Sequence, residues 1–304
     1  MNQAPVALFV YNRPWHTRQT VEALLANAEA KDTDLYVFSD GAKNDSAGKA
    51  ASEVRSYVSG IVGFHSITVI ERETNFGLAK SITNGVTQVC QKHGRIIVLE
   101  DDHVTSPYFL KYMNEALNYY EHDERVISIA GYIYPVMERM PETFFLRGAD
   151  CWGWATWARG WELFNPDGQK LLDELKRRKL THQFDFDGSY PYTKMLQNQI
   201  AGKNNSWAIR WYASAFLKDK LTLYPGRSLL VNIGMDDSGS HCSSAMKYEG
   251  EMTDIPVQVG TAAVEENAFA RQSFITFFRK SRPYLFVKVF RKIIAVMQRR
   301  IGMQ

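Results

Sequence analysis

The chain has 304 residues, 45% hydrophobic and 23% charged, the profile of a globular protein of one large or two ordinary domains, which excludes bulk disorder and collagen-like or coiled-coil fibres. No run approaches the roughly 20 apolar residues of a membrane-spanning helix, and Met1-Asn2-Gln3-Ala4-Pro5 lacks a basic leader, so neither a bilayer span nor a secretory signal is expected. The net charge of +3 divides unevenly: residues 271–304 hold nine Lys or Arg and no acid, which leaves 27 basic against 33 acidic residues before them.

Val6-Ala7-Leu8-Phe9-Val10-Tyr11 is a short apolar run rich in strand formers, closed by Asn12-Arg13-Pro14. A helical pattern follows to about Asn27, with Pro14 at a permissible first-turn position. Leu35–Phe38 is a second strand ending in Ser39-Asp40-Gly41, residues 46–60 are helical, and Ile67–Ile70 is a third strand. After Asn75-Phe76-Gly77 comes a helix over 78–92, then a strand Ile96–Leu99 that runs into Glu100-Asp101-Asp102. A helix at about 107–122 and a strand Val126–Ala130 complete the first half. This alternation predicts an α/β fold whose mainly parallel sheet is covered by helices on both faces. No GxGxxG or GxxxxGK[ST] loop follows the first strand, which argues against dinucleotide and P-loop sites.

Beyond residue 140 the pattern loosens. Residues 141–165 are dense in aromatics, 168–180 and 206–218 are helical, and Leu221–Tyr224 and Ser228–Val231 are strands about a Pro225-Gly226 turn. Gly234 to His241 has the composition of a loop. The three cysteines, Cys90, Cys151 and Cys242, form no CxxC pair, so reduced thiols and a cytoplasmic setting are expected.

The sharpest local signal is Glu100-Asp101-Asp102 at the carboxyl end of a buried strand, where ligands collect in open α/β sheets. Adjacent carboxylates there repel one another unless a cation or donors compensate. Alternation along an extended chain puts Glu100 and Asp102 on one face and Asp101 on the other. Mg²⁺ or Mn²⁺ on one carboxylate, completed by waters and phosphates, would resolve the conflict; a solvated acidic turn is the alternative. Arg13, Asp40, Asn75 and Lys80 fall at the same predicted sheet edge, where Arg13 and Lys80 suit phosphate and Asp40 suits a base or ribose. Taken singly, each also fits a helix cap or a surface charge.

Tyr11-Asn12-Arg13-Pro14, Ser39-Asp40-Gly41, Asn75-Phe76-Gly77-Leu78-Ala79-Lys80 and Val98-Leu99-Glu100-Asp101-Asp102, in that order, resemble the nucleotide-sugar half of GT-A-fold glycosyltransferases. The triplet and Pro107–Tyr112 are similar to the N-acetylglucosaminyltransferase I-like branch, and the likeness continues at Phe145–Trp154, Trp207–Tyr212 and Gly239–His241. The resemblance implies Asp102 as the metal ligand, Asp101 on the ribose, Glu100 on the donor sugar, Arg13 and Asp40 on the nucleotide, and His241 on a loop over the diphosphate or on the metal itself. It implies transfer of a sugar from a nucleoside diphosphate sugar, a UDP-sugar favoured, to a glycan hydroxyl in bacterial surface-polysaccharide assembly. The resembled enzyme carries a base aspartate near the late helix, where this chain reads Asn204-Asn205-Ser206. Asp150, Asp187, Asp236 and Asp237 are the alternatives, with Asp150 and Asp237 preferred, and a retaining reaction without a base stays open.

Trp154, Trp157 and Trp161 recur at helix-stripe spacing. Trp157 and Trp161 are expected in the core, and Trp152 and Trp154 at an acceptor site. Past Pro283 apolar residues recur at helical spacing beside Lys288, Arg291, Lys292 and Arg299, which suits the surface of an anionic membrane better than nucleic acid. The expected organisation is a transferase domain over 1–265, with its nucleotide-sugar half in 1–135 and its acceptor half in 136–265, and a basic amphipathic tail over 266–304. The protein is expected on the inner face of a membrane, with a lipid-linked acceptor. A sugar-nucleotidyltransferase and a non-catalytic, membrane-docked glycan-binding protein are the rival readings.

Overall fold

A computed structural model describes residues 3–235 and 250–281. The first half alternates β1 Val6–Val10, α1 Pro14–Leu25, β2 Asp34–Ser39, α2 Asp45–Ser59, β3 Ser66–Glu71, α3 Leu78–His93 and β4 Arg95–Glu100. A short β5, His103–Thr105, precedes α4 Phe109–Tyr119 and β6 Val126–Ala130. The second half holds β7 Thr143–Arg147, β8 Trp154–Trp157, α5 Ala158–Trp161, α6 Gly168–Arg177, α7 Thr181–Phe184, α8 Tyr192–Ile200 and α9 Trp207–Leu217. It closes with β9 Leu221–Pro225, β10 Leu230–Asn232 and α10 Ala268–Ser281.

Eight strands form one sheet in the order β3-β2-β1-β4-β8-β6-β9-β7. β8 runs antiparallel to both β4 and β6, and β7 antiparallel to β9, while the other pairings are parallel. The sheet is therefore mainly parallel, as the alternation of strands and helices predicts. Side chains of β1 alternate between its two faces: Val6, Leu8 and Val10 pack with α1, α2 and α4, while Ala7 and Phe9 pack with α3 and α9. A strand buried on both sides has no polar position, which is why β1 and β4 read as unbroken apolar runs.

Two elements differ from expectation. Trp154 and Trp157 lie on β8, and only Trp161 is helical. Three positions apart on a strand, Trp154 and Trp157 point to opposite faces and pack into different clusters; both are buried because both faces are covered, so apolar spacing alone does not separate strand from helix here. β7 sits within the aromatic-dense segment and shows no alternation, because it too is buried along almost its whole length.

Residues 268–281, counted with the basic tail from sequence, form α10, and Ala270, Phe274, Ile275 and Phe278 bury against the second-half core with Phe144, Phe186 and Tyr224. Three such large apolar side chains contribute roughly 1.5–3 kcal/mol each by burial. Arg271 anchors the helix with two hydrogen bonds to Asp187, at 2.7 and 2.9 Å. The remainder of the tail, residues 282–304, lies outside the described residues.

Candidate active site

The register Val10↔Ser39 and Phe9↔Glu100 aligns the carboxyl ends of β1, β2 and β4 at one edge of the sheet. Arg13, Asp40 and the acidic triplet follow directly from these strand ends. The extended chain stops at Glu100, and Asp101 and Asp102 form a turn, so the expected alternation of faces does not hold. Arg13 instead reaches both aspartates: Nη2 donates to Asp101 Oδ1 and, at 2.8 Å, to Asp102 Oδ2. Burial works against the Arg13 charge, but Asp101 and Asp102 more than offset it and raise the guanidinium pKa. Burial pushes Asp101 up to about 6 against the pull of Arg13, and burial together with both aspartates raises Glu100. The Thr20 hydroxyl on α1 donates to the Asp101 carbonyl at 2.9 Å, and Ile233 N–H donates to the Asp102 carbonyl at 2.9 Å.

Asp102 is 8% exposed, and its Oδ1 is buried with no hydrogen-bond partner among the described residues. A buried carboxylate oxygen without a donor is what a divalent cation would satisfy. No group of three or more His, Cys, Asp or Glu side chains among the described residues is arranged to hold a metal. The donor set thus fits one protein carboxylate, with waters and substrate phosphates completing the shell. His241 and Asp237, expected on the metal and as the base, lie outside the described residues.

Asp40 differs from expectation. Its buried carboxylate accepts from Phe76 N–H, Gly77 N–H, Asn75 Nδ2 and its neighbour Gly41 N–H, at 2.8–3.1 Å. With four donors its acceptor capacity is filled. It organises the β3–α3 loop rather than presenting an open oxygen to a base or ribose, and Asn75 is part of the same network. Gly77, at φ +70°, takes a backbone conformation that a side chain would strain. Two cations lie on the ring of Phe76 in that loop: Lys80 Nζ at 4.0 Å and the Arg72 guanidinium at 4.8 Å. Lys80 is exposed there. Nothing in the sequence marks Arg72, because one arginine after a strand carries no pattern.

Asp150 lies in the turn between β7 and β8. Cys151 N–H donates to its Oδ1 at 2.6 Å and the Tyr224 hydroxyl donates to its Oδ2 at 3.2 Å. Burial raises its pKa above the ordinary aspartate value despite these donors. The Cys151 thiol is pushed up by burial and, to a lesser degree, by the charges of Asp150, Glu100 and Asp102. Trp152 is partly exposed and packs edge-on to Tyr132, with ring centroids 4.7 Å apart. Trp154 is a correction: it has no exposed surface and packs among Trp161, Trp207 and Trp211, so its ring belongs to the core. Asp187 is drawn off by Arg271, whose hydrogen bonds hold its carboxyl below the usual range.

The model of glycosyl transferase family 2 matches residues 6–184, more than half of the chain, including Arg13, Asp40, the acidic triplet and Asp150. The chain belongs to glycosyl transferase family 2. The GT-A resemblance of its motifs agrees with that membership. No curated protein matches this family 2 chain. Among solved structures it is similar to the mannosyltransferase PcManGT from Pyrobaculum calidifontis in complex with GDP-Man and Mn²⁺, at 14% identity and a TM-score of 0.34, covering 44% of this chain and 36% of that one. It is likewise similar to S. aureus TarS 1-349, at 11% identity and a TM-score of 0.36, covering 58% and 49%. The chain thus spans less than half the length of either.

Proposed function

We propose that the protein transfers a sugar from a nucleoside diphosphate sugar, a UDP-sugar favoured, to a hydroxyl of a glycan acceptor, with Mn²⁺ or Mg²⁺ held by Asp102. The observation that carries this reading is the state of the Asp102 carboxylate at the carboxyl edge of the sheet, one oxygen on Arg13 and the other buried and unpartnered among the described residues. When bound there, a divalent cation supplies charge that stabilises the diphosphate leaving group. Arg13 holds the two aspartates in register through its hydrogen bonds to both, and Lys80 with Arg72 adds positive charge at the edge where phosphates would lie.

Asp150 is the group we assign to take the acceptor hydroxyl proton as that oxygen attacks the anomeric carbon and the bond to the diphosphate breaks. Its raised pKa keeps it basic enough for the task, and Tyr224 fixes its orientation. Trp152, beside it, offers a ring face to the acceptor sugar. The likeness to the N-acetylglucosaminyltransferase I-like branch supports a role in surface-polysaccharide assembly. A lipid-linked acceptor would account for the basic residues of 282–304, which suit an anionic inner membrane face.

Calorimetric titration of the protein with a panel of nucleoside diphosphate sugars, with and without Mn²⁺, tests the reading. Metal-dependent binding of one donor that Asp102→Ala abolishes is expected. Binding of no donor under any condition would overturn it in favour of a glycan-binding protein without donor chemistry.

A further inference from the structure

Next to Asp102 stands a second buried polar side chain that the proposed chemistry leaves without a role. His103 is 1% exposed, and its Nδ1 accepts the Glu100 N–H at 3.1 Å. A peptide N–H can only donate, so Nδ1 carries a lone pair and the proton of the neutral ring sits on Nε2. That Nε2 lies 3.6 Å from Asp102 Oδ1, beyond hydrogen-bond reach, and among the described residues neither atom has a hydrogen-bond partner. A nitrogen that bears its proton offers no lone pair to a cation, so the ring is not a metal ligand. At 3.6 Å, Nε2 nevertheless stands next to the one oxygen of Asp102 that Arg13 does not hold, near enough for its N–H dipole to act on it.

The backbone keeps this arrangement in place. His103 opens β5, where it pairs with Asn232 of β10, and the next residue, Ile233, holds the Asp102 carbonyl. Gly234 then passes so close that a Cβ there would stand 2.1 Å from Asp102 Oδ2. The carboxylate is thus confined by Arg13 and Gly234 at one oxygen and by the imidazole at the other.

Building on the reading of Asp102 as the metal ligand, we propose that His103 is a positioning residue for that carboxylate. Its Nε2–H orients Oδ1 without filling it, so that a lone pair stays open to a divalent cation. Partners of this kind behind a ligand typically change metal affinity about 10–100-fold.

The test titrates the full chain with Mn²⁺ alone and reads the free-ion signal by electron paramagnetic resonance, for wild type, Asp102→Ala, His103→Met and His103→Gln. Wild type binds and Asp102→Ala does not. His103→Met, which lacks the donor, weakens binding about 10–100-fold, and His103→Gln, which returns an N–H near the Nε2 position, restores most of that loss. A purely structural role would lower thermal stability in both His103 variants and leave Mn²⁺ affinity unmoved. Wild-type affinity in a folded His103→Met, with Asp102→Ala inactive in binding, overturns the His103 assignment alone. No Mn²⁺ binding by wild type overturns the metal reading with it. A long-range ¹H–¹⁵N spectrum of the imidazoles needs no substitution and decides the case should His103→Met not fold: a proton on Nε2 is expected, and one on Nδ1 refutes the proposal.

Discussion

Arg13 is the residue on which the charge balance of the edge turns. It neutralises two aspartates that are almost fully buried, and removing one partner of a buried pair costs about 3–5 kcal/mol because the other charge stays behind. Arg13→Ala should lose stability of that order in urea unfolding without added metal. The loss should be larger at pH 8 than at pH 5. Asp101 is pushed up to about 6 in the fold, above the ordinary aspartate value of about 3.9, so its contribution is present at low pH and is lost as pH rises through that folded value. Without the guanidinium the folded value climbs further, and the penalty at alkaline pH grows. A loss that is equal at the two pH values would mean that the aspartates are not what Arg13 supports. Asp150 makes a separate prediction. Asp150→Asn should lower kcat/KM by about 10²–10⁴, the ordinary worth of a positioned base. In the wild type the rate should fall on the acid side through a pKa above that of an ordinary aspartate, and this limb should vanish in the variant. The triplet is legible in sequence as the end of a buried strand, because three carboxylates directly after an apolar run stand out, although a solvated acidic turn would read the same. Its internal pairing is not, since it depends on where the extended chain stops and on an arginine nearly ninety positions earlier. Asp40 is legible as an edge residue, but its four donors come from a loop whose shape no local pattern announces.

Among the elements, the small β5–β10 pair ties the acidic turn to the chain that leads on from Gly234. Residue 234 must be glycine at this point not for its torsion but for the space beside Asp102. Gly234→Val should displace that carboxylate and depress Mn²⁺-dependent turnover by about 10²-fold, the usual consequence of a misplacement near 1 Å. Overall stability should change far less than in Arg13→Ala, as urea unfolding would show. Undiminished turnover would mean that the carboxylate has room the geometry does not indicate. Elements of the first half are legible because apolar strand runs alternate with amphipathic helices, one of which, α2, is capped by the Asn44 side chain. Strands β7 and β8 are obscured because they are buried along almost their whole length, which erases the polar positions that reveal a period.

At the scale of the molecule, α10 completes the second core. Phe278→Ala should cost about 3–5 kcal/mol. A chain ending at Ser281 should unfold like the full chain, whereas one ending at Asn267 should expose Phe144, Phe186 and Tyr224 and aggregate. The chain ending at Ser281 should also keep its donor turnover while losing sedimentation with anionic vesicles, if residues 282–304 hold the protein at a membrane. Equal sedimentation of the two would remove the membrane from the account. The family match gives glycosyl transfer, and the proposal adds a donor bound through a metal on the Asp102 carboxylate. The most direct test is release of nucleoside diphosphate from a panel of nucleoside diphosphate sugars, with Mn²⁺ present or chelated, in wild type and Asp102→Ala. The account predicts slow, Mn²⁺-dependent release from one donor that disappears in the variant. Release that persists in Asp102→Ala or after chelation would contradict it.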